Sequence, residues 1–268
     1  MTEDNSSKQS RLTAKQFAEF ALDVGTYLLA SGAHSGRLNT NIKRMAEAWA
    51  FEVQINSSFR GLLVSVQNKK DIRDSITLFK ESPPHSVHLA VLTDVSRMSW
   101  KVYEEKLSFE ETEKTFQAIK QKKHYPPWLI SLAVGFSCAG LCLLAKGDYW
   151  NAAVAYLAAF VGYFFQRKVS EWHFNAMISI GIAAFISTLI TGWGYRLGIG
   201  SNPEAAMATG VLYLIPGVPL LNCVIDLIEG HLSSSVNRIL FAGFILLCIA
   251  AGMTLSIALL GIDHFELI

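Results

Sequence analysis

The sequence predicts an α-helical membrane protein: a five-span bundle preceded by a cytoplasmic α+β domain. Three observations carry that prediction. Most of the charge lies before residue 125, and most of the apolar runs lie after it. Five apolar stretches follow one another at about 128–145, 151–166, 174–193, 205–226 and 236–260, and a hydrocarbon core about 30 Å thick needs about 20 helical residues to cross. Between the two regions stands Gln121-Lys122-Lys123-His124-Tyr125-Pro126-Pro127-Trp128, a basic, aromatic, proline-marked entry to a bilayer.

Residues 1–10 are polar and are expected to be disordered. They lack the apolar core of a signal peptide, so the first domain, residues 11–124, is expected to stay in the cytoplasm. Leu12–Ser31 reads as an amphipathic helix with Phe17, Phe20, Ala21, Val24 and Leu28 on one side. A turn at His34-Ser35-Gly36-Arg37 leads to a second helix, Arg37–Ala50. Phe51–Ser57 alternates apolar with polar residues, the mark of a half-buried strand. Gly61–Gln67 and Ser75–Lys80 read as two more strands, with a turn at Asn68–Asp71. Val87–Leu107 is helical again. Ser108 with Glu111 forms a capping box that opens a last helix, running to about Lys120.

The membrane half is residues 125–268. Lys120, Lys122, Lys123, Arg167, Lys168 and Arg238 fall on one side of the spans, against Lys146 and Arg196 on the other. That bias places the N-terminal domain inside and the tail Asp263-His264-Phe265-Glu266 outside. Trp128, Tyr149, Trp150, Trp172, Trp193 and Tyr195 sit near span ends, as an interfacial belt would. Small residues such as Gly135, Gly181, Gly243 and Gly252 allow close helix approach.

The fourth span carries the strongest functional signal. Pro216-Gly217-Val218-Pro219 interrupts it, since proline removes a helical hydrogen bond and crowds the preceding turn. In lipid the freed carbonyls need protein or water partners. Beyond the break, Pro219, Asn222, Asp226 and Glu229 share one helical face, opposite Leu220, Leu221, Val224, Ile225, Leu227 and Ile228. An Asp at the centre of a span costs about 2.5–3.5 kcal/mol on insertion scales. One reading is a half-helix lining a substrate path through Pro216, Gly217, Pro219, Asn222 and Asp226. The other is that Asp226 and Glu229 end the span at the membrane surface.

Several polar residues keep two readings. His34, Ser35 and Arg37 either recognise an anion at a helix N-terminus or cap the helices and fix the turn. Asn175 donates to a substrate or bonds across helices. Arg196 is an extracellular gate charge or a solvated loop residue. Arg238 pairs with Asp226 or Glu229, or serves as a positive-inside anchor. The formal net charge of +1 gives no reason to expect nucleic acid. No P-loop, HExxH, GxSxG or kinase signature occurs, so neither an enzyme nor direct ATP hydrolysis is expected. Cys138, Cys142, Cys223 and Cys248 lie in the expected spans without metal-ligand spacing; no metal, disulfide or cofactor is expected.

The order of these features resembles the threonine/serine exporter family, in its N-terminal, larger half, from about residue 12 to 260. Leu28-Leu29-Ala30-Ser31-Gly32-Ala33 followed by Arg37 is similar to the family's opening motif. Leu107-Ser108-Phe109-Glu110-Glu111 resembles the region before its membrane part. Leu214-Ile215-Pro216-Gly217-Val218-Pro219-Leu220 with Asn222 and Asp226 is similar to its PG-containing segment. Leu38 and Asn39 depart from the pattern, where a glutamate often follows the arginine. The resemblance implies an exporter of small polar metabolites at the bacterial inner membrane, carrying threonine/serine-type amino acids or dicarboxylates such as succinate. It also implies a smaller partner subunit of about five spans, forming an inverted second half with the cargo site at the interface. Contact with lipid is expected, and a homo-oligomer is compatible with the pattern. The rival reading is a membrane-anchored sensor or regulatory interaction protein.

Overall fold

Thr13 accepts the backbone N–H of Gln16 while the Gln16 side chain reaches back to Thr13, and this capping box opens α1 (Ala14–Ala30). The computed structural model describes residues 12–58, 61–84, 87–122, 125–172 and 175–262. The stretch 1–10 expected to be disordered, Lys123-His124 of the membrane entry, and the acidic tail lie outside the described residues. The chain divides into two compact units, Met1–Lys122 with Val218–Ile239, and Lys123–Gly217 with Leu240–Ile268.

In the first unit, α1 turns Phe17, Ala18, Ala21, Val24 and Leu28 fully inward. Each large apolar side chain so buried contributes about 1.5–3 kcal/mol. Its partners are α2 (Ser35–Ala48) and an antiparallel sheet of β1 (Phe51–Ser57), β2 (Gly61–Asn68) and β3 (Asp71–Glu81), in that order. Phe51 faces Asn68 and Gly61 faces Glu81, so Asn68–Asp71 forms the hairpin turn. The alternation of β1 is real: Phe51 and Val53 are buried, Glu52 and Gln54 exposed. Helices α3 (Leu89–Glu104) and α4 (Phe109–Lys120) complete the core, where Phe20 meets Trp49, Phe109 and Phe116 edge to face.

Ser108 and Glu111 close the expected capping box on α4. The Ser108 hydroxyl and backbone N–H, both bonded to the Glu111 carboxylate, hold it below the usual carboxylate range. A depressed folded pKa contributes stability above the unfolded value that is lost as pH falls through the folded one. Ser108→Ala is therefore expected to lower the thermal midpoint near neutral pH, with the gap to wild type closing at acid pH. Melting curves taken across that range check this, and parallel curves at every pH would contradict it.

In the second unit, α5 (Pro127–Leu144) packs on α6 (Tyr149–Glu171), and α6 on α7 (Ala176–Arg196). The short α8 (Pro203–Thr209) rests on all three. Asp148 caps α6 and also accepts the Ser201 N–H, and these bonds lower its pKa. Helix α6 meets α7 closely at Gly162, where a Cβ would stand 2.0 Å from Ser187 Oγ, and the Ser187 hydroxyl donates to the Ala158 carbonyl at 3.0 Å. A 3₁₀ turn, Leu212–Leu214, follows α8; beyond it run α9 (Gly217–Ile228) and α10 (Leu232–Leu260).

By length and composition, α5, α7 and α10 can each cross a membrane, with mean hydropathies of 1.9, 1.8 and 2.4. Residues Pro203–Leu214 with Gly217–Ile228 pass the same test as one broken pair, giving three spans, or four with the pair. Helix α6 is not among them, although it has 23 residues. Its inner face is built from weakly apolar alanines, and its last two turns carry Gln166, Arg167, Lys168 and Glu171, which dilutes its hydropathy.

Candidate functional site

The site forms inside the first unit, around the turn between α1 and α2. Gly32 sits at φ +92°, a conformation open to glycine, and the Gly32 and Ala33 N–H groups close back on Leu29 and Leu28. The turn therefore points the carbonyls of Gly32 and Ala33, and the N–H of Ser35, away from α1. His34 then caps α2, its Nδ1 accepting the Arg37 N–H at 3.2 Å.

Helix α9 answers those groups. Ile215 is extended (φ −63°, ψ 126°) and Gly217 N–H bonds only two residues back, so the chain breaks at Pro216 before α9 begins. The face carrying Asn222 and Asp226 is buried, at 5% and 0% exposure, while Leu221, Val224, Leu227 and Ile228 are more than half exposed. A polar face turned inward and an apolar face turned outward suit a helix in a lipid setting. Gly230, at φ +81°, ends α9, and His231 N–H returns to the Asp226 carbonyl at 2.7 Å.

Three side chains hold the turn. Asn222 Nδ2 donates to the Gly32 carbonyl at 2.8 Å. Asp226 Oδ1 accepts the Ser35 N–H at 2.8 Å, placing a carboxylate at the positive end of the α2 dipole. Arg238, on α10, donates Nη2–H to the Ala33 carbonyl at 2.8 Å, and its Nε lies 2.9 Å from Asp226 Oδ2. That second contact is ionic: Oδ2 has no aligned hydrogen bond. Ser57, Ser234 and Ser235 extend the network. Ser234 donates to the Ser57 carbonyl at 3.0 Å, Ser57 Oγ to Ser35 Oγ at 3.1 Å, and Ser235 to the Cys223 carbonyl at 2.7 Å.

The anion position at the start of α2 is thus filled by the chain's own Asp226. Glu229 is 38% exposed and approaches His34 Nδ1 at 3.3 Å. That nitrogen cannot accept from Arg37 and donate to Glu229 in one protonation state, so the two contacts alternate with the tautomer. His34, Asp226 and Glu229 offer ligand atoms within 4.8 Å of one another, but Arg238 already balances Asp226, and no metal is assigned to them.

The remaining sequence candidates lie elsewhere. Pro216 is half-buried and Gly217 exposed at the break, and Pro219 is half-buried in the first turn of α9. Asn175 caps α7, accepting the Met177 N–H at 2.9 Å, and borders an apolar groove of about 570 Å³ between α7 and α10. Arg196 donates to the Leu260 carbonyl, and to that of Gly261 at 3.1 Å, so it closes the C-terminal end of α10. Sequence reasoning passed over Ser57, Ser234 and Ser235; the run Ser233-Ser234-Ser235 at the start of α10 is a signal that could have flagged the last two, and Ser57 left none.

Residues 19–260 match the family model described as "Putative threonine/serine exporter". The chain is 28% identical over 90% of its length to "Probable succinate transporter subunit YjjP" of Escherichia coli, covering 93% of that protein. It is 29% identical, with the same coverage, to the protein of the same name from Klebsiella aerogenes. It is 19% identical to "Probable threonine/serine exporter" of Mycobacterium tuberculosis, matching 92% of this chain but 46% of that protein. No solved structure matches.

Proposed function

The chain belongs to the threonine/serine exporter family, a family of membrane transporters and not of enzymes, and on that premise we propose that it is the larger subunit of a two-subunit exporter of small carboxylates. A C4-dicarboxylate is favoured over threonine or serine as cargo. The relatives named for succinate match end to end, whereas the one named for threonine and serine matches over about half its length. The word "subunit" in the names of the succinate relatives supports a second membrane subunit as partner. The proposed arrangement is five spans in a bacterial inner membrane, α6 and the broken pair included, with the N-terminal domain in the cytoplasm.

One observation supports this reading above the rest: a buried Asp226–Arg238 pair stands just beyond a proline break in an apolar segment. Polar groups of that kind in membrane segments mark ion or solute pathways. In the proposed cycle, the turn at Gly32–Ser35 closes the polar face of α9, and its release frees Asn222 and Asp226 for cargo or a proton. Transport rather than an anchored sensor also follows from the family. The test is efflux of labelled succinate and threonine from vesicles carrying this chain with the second subunit. Asn222→Ala and Asp226→Asn are each expected to cut efflux at least tenfold at normal expression; wild-type rates in both variants would overturn the assignment.

A further inference from the structure

We propose that a cleft along α2, on the first unit, is a binding site for a small dicarboxylate, distinct from the Asn222–Asp226 network. The cleft holds about 340 Å³ and is lined by Arg37, Thr40 and Arg44 of α2, by Ser96 of α3, and by His34 and Glu229. Its volume lies within the usual range for small-ligand sites, about 300–1,000 Å³.

The two arginines set the chemistry of the cleft. Seven residues apart on one helix, they lie two turns apart on the same face, about 10 Å along the axis. Thr40 falls between them. Arg44 is held in place: its Nη1 donates to Ser99 Oγ at 2.8 Å, and its guanidinium lies 3.7 Å from the centre of the Trp100 ring. Arg37 is the opposite case. It is half-buried, yet its guanidinium makes no hydrogen bond or ion pair with any described residue. A guanidinium with no partner among the described residues, on the same face as a second that the fold has oriented, forms a two-point receptor for paired carboxylates. Each fork matches a carboxylate bidentately. The one acidic group in the lining, Glu229, faces His34, so the lining keeps a net positive charge even with His34 neutral.

This rests on the transport reading and deepens it by giving the proposed cargo class a site on the N-terminal domain, and it is tested separately. Calorimetric titration of the full chain in detergent, without the second subunit, uses succinate, threonine and inorganic sulfate as probes. Succinate is expected to bind, and both threonine and sulfate at least tenfold more weakly. Arg37→Gln is expected to weaken succinate at least tenfold with an unchanged melting temperature, because the Arg37 guanidinium bonds to no described residue. Arg44→Lys keeps the charge but loses the fork, and is expected to weaken succinate as well. The proposal is overturned by absence of succinate binding, by wild-type affinity in Arg37→Gln, or by threonine or sulfate binding as tightly as succinate. Succinate bound without any efflux would remove the transport reading alone; efflux without binding would remove this site alone.

Discussion

Arg238→Met is expected to destabilise the first unit by about 3–5 kcal/mol, the usual cost of removing one partner of a buried ion pair. The guanidinium and the Asp226 carboxylate are 7% and 0% exposed, so water does not screen the charge left behind. Asp226 would retain only the Ser35 N–H, and the Ala33 carbonyl would lose its donor. Thermal unfolding of the detergent-solubilised chain measures the effect. The double variant Arg238→Met with Asp226→Leu separates charge from packing. Replacing a whole buried pair by apolar groups is often neutral or stabilising, so the double variant should recover most of the loss. The remainder reports the unpaired Ser35 N–H and Ala33 carbonyl. If the double variant is as unstable as the single, removing Asp226 relieves nothing, and the charge left unpaired is not the source of the effect.

Gly252→Ala is expected to cost about 1–3 kcal/mol, the typical cost of overpacking. A Cβ at that position would stand 2.4 Å from the Gly181 carbonyl oxygen and 3.0 Å from the Phe185 backbone nitrogen. Both are main-chain atoms of α7, so no side chain can swing aside; α7 and α10 must separate. Small residues at such crossings let backbones approach closely, and packing is the main source of helix association in lipid. Gly243, on the same helix, is the control, because a Cβ there meets nothing within 4 Å. Gly243→Ala should be neutral or stabilising by up to about 1 kcal/mol through helix propensity. Equal melting temperatures for the two variants would show that the α7–α10 approach is not tight.

Much of the first unit was legible because each signal is local. The alternation of Phe51–Ser57, the capping box at Ser108 and Glu111, and the apolar face of α1 depend on neighbours a few residues away. The proline break and the shared face of Asn222 and Asp226 were legible for the same reason. What those polar groups touch was not, since their partners lie about two hundred residues away in sequence, on a turn whose exposed carbonyls leave no mark in composition. Arg196 shows the same limit: a charge read as gate or loop binds carbonyls at the far end of α10.

By itself the sequence determined the class of the protein, its helices and strands, and the place where an apolar segment breaks. These follow from hydropathy, periodicity and the backbone chemistry of proline and glycine. Only the tertiary structure decided that the segment from Val218 to Ile239 groups with the N-terminal elements, that Asp226 fills the start of α2, and that the Arg37 guanidinium has no partner among the described residues. The physical reason is that a buried charge is tolerated only where its partners converge, and convergence is a property of the fold.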